Sequence, residues 1–261
     1  MTAEKRCLVA VCHNGPVVFA STVKSLMEIG WGNRVDEAKQ AHGFASIDFA
    51  WIDAFPRVDA LRDAAAMLAL AEGPSGRRQV VKPRHTHLLF LDADMTWPTD
   101  VLTQMLRHHD AGIVSALYHL KGGDHAPVAL RDSFTAEGST TVQYLHDRDY
   151  REGELDLRPE QVVGMGCTLV PTAVFEAIGP RPWFAYQDDD EGWPLVSEDV
   201  AFCQKAAAAG FAISLDRTVK CGHATVHVVT EGWHKAAVGD VVDMLMAAAE
   251  GGRPEPIAVP A

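Results

Sequence analysis

Two carboxylates one residue apart, Asp92 and Asp94, close the apolar run 88–91. A short apolar run bounded by polar residues reads as a buried strand of a parallel sheet. Open α/β sheets bind ligands at the carboxyl ends of such strands. This D-x-D therefore sets two hard oxygen ligands at the mouth of the fold, where a divalent cation and a diphosphate can meet. Residues 95–100 turn the chain and cap the helix that follows, which puts the pair on a strand-to-helix loop. Asp is also a frequent turn and capping residue, so the pair takes its meaning from the rest of the chain.

Two more groups carry chemistry. Glu198-Asp199 opens a helix, where the macrodipole favours negative charge; the pair reads either as a structural first turn or as a working carboxylate site. His223 follows Cys221-Gly222 after a strand, and a single imidazole there reads as a hydrogen-bonded structural residue or as a ligand. His227 and His234 are weaker versions of the same signal.

The elements that must position these groups alternate. Strands are expected at residues 8–12, 44–52, 88–91, 112–118, 162–171 and 211–215, and helices at 17–29, 57–71, 101–109 and 198–209, with a short one capped by Thr172 and ending at 178. In the first helix, Val18, Ser21, Thr22, Ser25, Leu26 and Ile29 share one side. Ser197 and Gly210 supply the cap and stop of the last helix, and residues 72–84 read as a Gly/Pro/Arg loop. Strand–helix alternation implies parallel pairing through right-handed crossovers. The expected fold is thus α/β with a mostly parallel central sheet flanked by helices. Residues 121–160 read as a loop-and-hairpin insertion with a strand near 141–145. Residues 1–250 form one domain on this reading, and 251–261 a flexible tail.

Composition narrows the class. The chain has 261 residues, 48% of them hydrophobic and 22% charged, as expected of a soluble globular protein with one good core. It contains no run of the roughly 20 apolar residues that would span a bilayer, and the N-terminus leads into a strand without a signal-peptide pattern. Five scattered cysteines, an odd number, fit a reducing cytoplasm better than a disulfide framework. Cys7 and Cys12 read as small core residues. The formal charge of −12 argues against non-specific binding to nucleic acid or anionic membranes.

The ordered set of features resembles the GT-A nucleotide-sugar glycosyltransferases, especially the family 2-like enzymes of bacteria and phages. The residues that carry the likeness are 86–94 with the D-x-D, 163–171 with Gly164 and Gly166, 197–204 with Glu198 and Asp199, 210–216, and 221–223 ending in His223. It spans residues 6–230. The resemblance implies a Rossmann-like GT-A domain using Mn²⁺ or Mg²⁺. Asp94 and His223 would hold the ion, and Asp92 would support it or touch the ribose. Asp199, with Glu198 beside it, would sit near the acceptor hydroxyl, where in inverting relatives this acid is the general base. The nucleotide would lie against His13, Asn14, Asp53, Arg57, Arg62, Asp92 and Ala93. Gly164, Gly166 and Trp193 would meet the sugar or acceptor.

Many relatives carry an Arg-Asn pair where this chain has Arg62-Asp63. Trp183, Phe184 and Trp233 could stack on sugar or base, although aromatics are ordinarily buried. The loops 121–124 and 188–192 read as a lid or as solvated turns. The donor would be a nucleotide-diphospho-sugar, with UDP-sugars first, and the acceptor a glycan, a protein or a phage-modified DNA base. A basic strip of Arg77, Arg78, Lys82 and Arg84 is the feature that would suit DNA. Two other readings stay open: a sugar nucleotidyltransferase, and a sugar-nucleotide-binding module without turnover.

Overall fold

The computed structural model describes residues 4–14, 18–30, 34–53, 57–71, 73–75, 80–82, 84–121, 125–134, 140–144, 157–159, 162–188, 191 and 194–225. Residues Met1–Lys121 and His125–Ala224 make one compact unit, and Gly122–Asp124 with Thr225–Ala261 make a second. Apart from Thr225, all described residues belong to the first. The expected tail at 251–261, Trp193, Trp233, His227, His234, Arg77 and Arg78 lie outside the described residues.

The central sheet has seven strands among the described residues: β1 (Arg6–Cys12), β2 (Ser46–Ile52), β3 (His87–Asp92), β4 (Ile113–Leu117), β5 (Leu157–Pro159), β6 (Cys167–Pro171) and β7 (Ile213–Lys220). Their order is β5-β7-β4-β6-β3-β1-β2. Five strands run one way. β6 is wedged antiparallel between β3 and β4, and β5 lies antiparallel on the β7 edge. The fold class is the expected one, a mixed α/β fold with a mostly parallel sheet flanked by helices.

Six helices complete the layers: α1 (Ala20–Gly30), α2 (Arg34–His42), α3 (Val58–Leu70), α4 (Val101–Leu106), α5 (Ala173–Ala177) and α6 (Glu198–Ala208). β1 and β3 are buried and apolar on both sides, as the centre of a doubly covered sheet requires. In β1, Leu8, Ala10 and Cys12 pack with α3, α5 and α6, while Cys7, Val9 and Val11 pack with α1, α2 and α4. The same alternation in β3 puts Asp92 on the side of Leu88 and Phe90, towards α3 and α6. All five cysteines are free.

Several local expectations are corrected. The expected strand at 162–171 is two pieces: Val162–Val163 joins a small antiparallel sheet with the hairpin Ala129–Phe134 and Thr140–Tyr144, and only Cys167–Pro171 enters the main sheet. Between the pieces, Tyr118 packs against the chain. A Cβ on Gly164 would lie 2.1 Å from the Tyr118 hydroxyl, and one on Gly166 would lie 2.9 Å from its ring. These glycines are therefore buried packing positions, not a path for substrate. The expected loop 72–84 contains a short hairpin, Gly73–Ser75 against Val80–Lys82. Ser21 is exposed, whereas Thr22, Ser25 and Ile29 are buried.

The caps also differ. The carboxylate of Asp100 accepts from Gln104, and Thr172 donates to the His85 carbonyl. Ser197 occupies the N-cap position of α6, but its hydroxyl donates to the Asp199 carboxylate. Helix α2 had no expectation attached to it: it buries only Ala38 and holds its shape with Arg34–Glu37 and Lys39–Asp36 pairs one turn apart.

β7 delivers His223 to the site, and a buried carboxylate anchors it. Asp216 accepts from Arg107 at 2.6 Å, from His108 at 2.7 Å, and from the amide and hydroxyl of Thr218 at 2.8 and 2.7 Å. Burial alone would raise its pKa, but the hydrogen bonds from His108, Thr218 and Arg107 outweigh that and hold it well below the usual range. A depressed carboxylate contributes stability that is complete above its unfolded value, about 3.9, and is lost as pH falls through the folded value. Unfolding free energy should therefore drop steeply below about pH 4 in the wild type, and Asp216→Asn should flatten that drop. Parallel pH profiles for the two chains would contradict the assignment.

Candidate functional site

The site lies where the order in which the chain adds strands to the sheet reverses. β1 pairs with β2 on one side and with β3 on the other, so the exits of β1 and β3 frame a topological switch point. A pocket of about 280 Å³ opens there, lined by Cys12, His13, Asn14, Phe19, Val58, Asp92, Ala93, Asp94 and Lys121. It is near the lower end of ordinary small-molecule sites, roughly 300–1,000 Å³. Burial pushes the Cys12 thiol up to about 12, with Asp92 adding to the shift, so this wall presents a neutral thiol.

Asp94 and His223 meet through backbone pairing. Met95–Thr96 and Gly222–His223 form a two-residue antiparallel ladder, and the Ala224 amide donates to the Asp94 carbonyl at 2.7 Å. A Cβ on Gly222 would come within 2.5 Å of the Thr96 hydroxyl, so a larger residue there would have to turn that side chain. The His223 Nδ1 lies 2.8 Å from the His119 carbonyl. A carbonyl only accepts, so Nδ1 carries hydrogen, and Nε2 faces Asp94 Oδ1 at 3.6 Å, where a charged ring pairs with the carboxylate.

The other Asp94 oxygen, Oδ2, accepts from the Lys121 ammonium. Burial works against the Asp94 charge, but the hydrogen bonds from His223 and Lys121 prevail and bring its pKa down to about 2.

Asp92 plays a different part. Its Oδ2 accepts from Arg62 at 3.1 Å, and Arg62 also donates to Glu198 Oε1 at 3.3 Å. Arg62 is 4% exposed and Glu198 5%. One buried guanidinium therefore ties the exit of β3 to the first turn of α6. Burial opposes the Arg62 charge, yet Asp92 and Glu198 raise its pKa and keep it a cation. Burial dominates at Asp92 and raises its pKa despite Arg62. Asp92 thus supports the clamp through Oδ2, while its other oxygen, Oδ1, is buried with no hydrogen-bond partner among the described residues.

This corrects two expectations. Arg62 lies beneath the site as a clamp and is not offered to a nucleotide base. Glu198 is that clamp's second anion, and Tyr186, its phenol raised by burial and by Glu198, leans on it from the other side. Asp63, beside Arg62, accepts the amides of Trp183 and Phe184 at 3.1 and 3.0 Å. The Arg-Asp pair thus serves two structural ends, the site and the loop before α6. Trp183 and Phe184 are core residues, stacked among Phe175 and Phe202.

The remaining expected residues divide. His13 and Asn14 line the pocket, with the His13 ring 5.6 Å from that of Trp51. Ala93 is in the wall, its amide spent on the Cys12 carbonyl at 2.9 Å. Asp53 is exposed at the exit of β2. Arg57 turns back onto Asp59 in a bidentate pair, with its guanidinium 5.1 Å from the Tyr186 ring. Asp199 is half-buried in the first turn of α6, where it accepts from Ser197 and from the Val200 amide at 2.9 Å.

Neither Asp199 nor Glu198 lines the pocket. Lys121 was expected only as part of a loop, and the structure makes it a counter-ion of the D-x-D. Among the described residues no group of three or more His, Cys, Asp or Glu gathers to hold a metal, and no helix is long and apolar enough to cross a membrane.

No family model matches the chain. No curated protein matches it either. Among solved structures, A197 from STIV is similar with a TM-score of 0.48 and 17% identity, over 86% of this chain and 97% of that one. GalNAc-T7 with UDP, GalNAc and Mn²⁺ is similar with a TM-score of 0.49 and 10% identity, over 92% of this chain and 48% of that one.

Removing one partner of a buried ion network leaves uncompensated charge, typically at a cost of about 3–5 kcal/mol. Arg62→Met should therefore lower the unfolding free energy by about that amount in urea titration, and Arg62→Lys by less. A loss below about 1 kcal/mol for Arg62→Met would show that the clamp is dispensable.

Proposed function

We propose that this chain is a glycosyltransferase that moves a sugar from a nucleotide-diphospho-sugar to a hydroxyl acceptor with the help of a divalent cation. One observation carries the reading: Asp94 and the Nε2 of His223 converge beside a pocket at the switch point of an α/β sheet. A carboxylate oxygen and a neutral imidazole suit Mn²⁺ or Mg²⁺ when most coordination is left to substrate oxygens and water. Asp94 and His223 would hold the ion, which when bound supplies Lewis-acid neutralisation of the departing diphosphate.

The chain's own residues have separate duties. The His119 carbonyl fixes the His223 tautomer and so keeps Nε2 available. Arg62 holds Asp92 and Glu198 in place and keeps them from drifting into the donor's phosphates. His13 and Asn14, with the Trp51 ring close to His13, form the wall on which the nucleoside would rest, UDP-sugars being the first donors to test. Asp199 has Oδ1 engaged by Ser197 and the Val200 amide, which orients the carboxylate for taking a proton from an acceptor hydroxyl. Since Glu198 is committed to Arg62, Asp199 is the base in this proposal.

The free thiols fit a reducing cytoplasm. Of the four basic residues in the strip suited to DNA, Arg84 is paired with Glu176 at 2.7 Å. Glycan, protein and phage-modified DNA hydroxyls are the acceptor classes to test.

Calorimetric titration of nucleoside diphosphates with Mn²⁺ separates the roles. Asp94→Asn should weaken donor binding by roughly 10- to 100-fold. Asp199→Asn should leave donor affinity within about twofold while transfer falls by about 10²–10⁴. Wild-type affinity in Asp94→Asn would remove the cation site. Metal-dependent binding with no transfer in the wild type, across glycan, protein and DNA acceptors, would favour the binding-module reading.

A further inference from the structure

Among the described residues that line the pocket, Lys121 is the only lysine or arginine. The ammonium of Lys121 rests on Asp94, the carboxylate proposed above as a ligand of the divalent ion, and both side chains are about one-third exposed at the pocket lip. Asp94 has two oxygens. Oδ2 takes Lys121, and Oδ1 faces His223. An ammonium and a divalent cation cannot share one carboxylate at contact distance without strong repulsion: at an effective dielectric near 20, each pair of like unit charges 4 Å apart costs about 4 kcal/mol.

We propose that Lys121 and the divalent cation are alternative counter-ions of Asp94, so that loading the metal requires Lys121 to release the carboxylate. This inference rests on the cation site proposed above.

The way Lys121 is presented favours exchange over permanent pairing. Its backbone neighbours are fixed: His119 bridges Pro127, the Leu120 amide donates to Ala126 at 3.0 Å, and the Val128 amide donates to Tyr118 at 2.9 Å. The His119 carbonyl in the same segment orients His223. The frame carrying both groups can therefore stay still while the four-carbon lysine stem rotates. By contrast, Arg62 is buried and bridges two anions, which makes it a fixture. Lys121 is about one-third exposed and, among the described residues, pairs with Asp94, so releasing it costs little.

Exchange also keeps the charge of the pocket suited to an anionic donor. In the empty protein the ammonium neutralises Asp94, so the D-x-D does not repel an approaching diphosphate. Once displaced, the same ammonium remains tethered at the pocket lip as a positive partner for phosphate oxygens. Metal and donor would thus be taken up together more readily than metal alone.

The test is Mn²⁺ binding to the whole chain, without nucleotide, by calorimetry at one fixed salt concentration. Lys121→Met should bind Mn²⁺ about three- to tenfold more tightly than the wild type, and Lys121→Arg should stay close to it. Equal or weaker binding in Lys121→Met would overturn the exchange. If both chains bind equally and Asp94→Asn abolishes binding, exchange fails and the cation site survives; if none binds, both fail. A second measurement uses only the wild type. Acetylation of Lys121, read by mass spectrometry, should rise when Mn²⁺ is added, and unchanged labelling would count against release.

Discussion

The site depends on one buried cation. Arg62 reaches from α3 to the end of β3 and the start of α6, and without it two carboxylates, Asp92 and Glu198, would face each other in a nearly dry interior. Two anions share one guanidinium beneath the D-x-D loop. Burial raises Asp92 against the pull of Arg62, which shows how closely the opposing effects are balanced. That balance is tolerable because Arg offers several donors in a rigid fork, and a lysine would not reach both anions with the same geometry. The D-x-D loop is therefore rigid at its first acid and open at its second.

The division of labour between the two acids follows from strand geometry. Alternation along β3 turns Asp92 under the sheet towards α3 and α6, while the turn after it carries Asp94 out to the pocket. β6, antiparallel at the centre, places Gly164 and Gly166 against Tyr118, and the Tyr118–Val128 segment then presents both Lys121 and the carbonyl that orients His223. From the other edge, the Asp216 anchor fixes the strand whose continuation brings His223 to Asp94. Three distant parts of the chain thus meet at one carboxylate, and each is fixed by backbone pairing or by a buried polar group.

Much of this was written in the sequence in local form. The apolar runs ending in polar residues placed β1 and β3, and with them the D-x-D at a strand exit. The acidic first turn of α6 and the glycine after it marked that helix. What local patterns did not reveal was partnership. Gly164 and Gly166 owe their identity to a tyrosine more than forty residues away, and the antiparallel course of β6 depends on which neighbours it finds, not on its composition.

Arg62 did leave a signal: it shares the helical stripe of Ala65, Ala66 and Ala69, and a charge on an apolar stripe demands a buried counter-ion. Glu198, adjacent to Asp199, hid that partner behind a plausible catalytic role. Helix α2 carried its signal in charges three residues apart instead of in apolar spacing. Lys121, exposed in a glycine-rich segment, had no local mark at all.

The measurement that bears most directly on the account is release of nucleoside diphosphate from a panel of nucleotide sugars, followed with Mn²⁺ and with chelator. The account predicts that one nucleotide sugar is consumed in a metal-dependent manner, faster when a suitable hydroxyl acceptor is added, and that Asp94→Asn abolishes the release. Release that proceeds equally with chelator, or no release from any nucleotide sugar with any acceptor class, would contradict it.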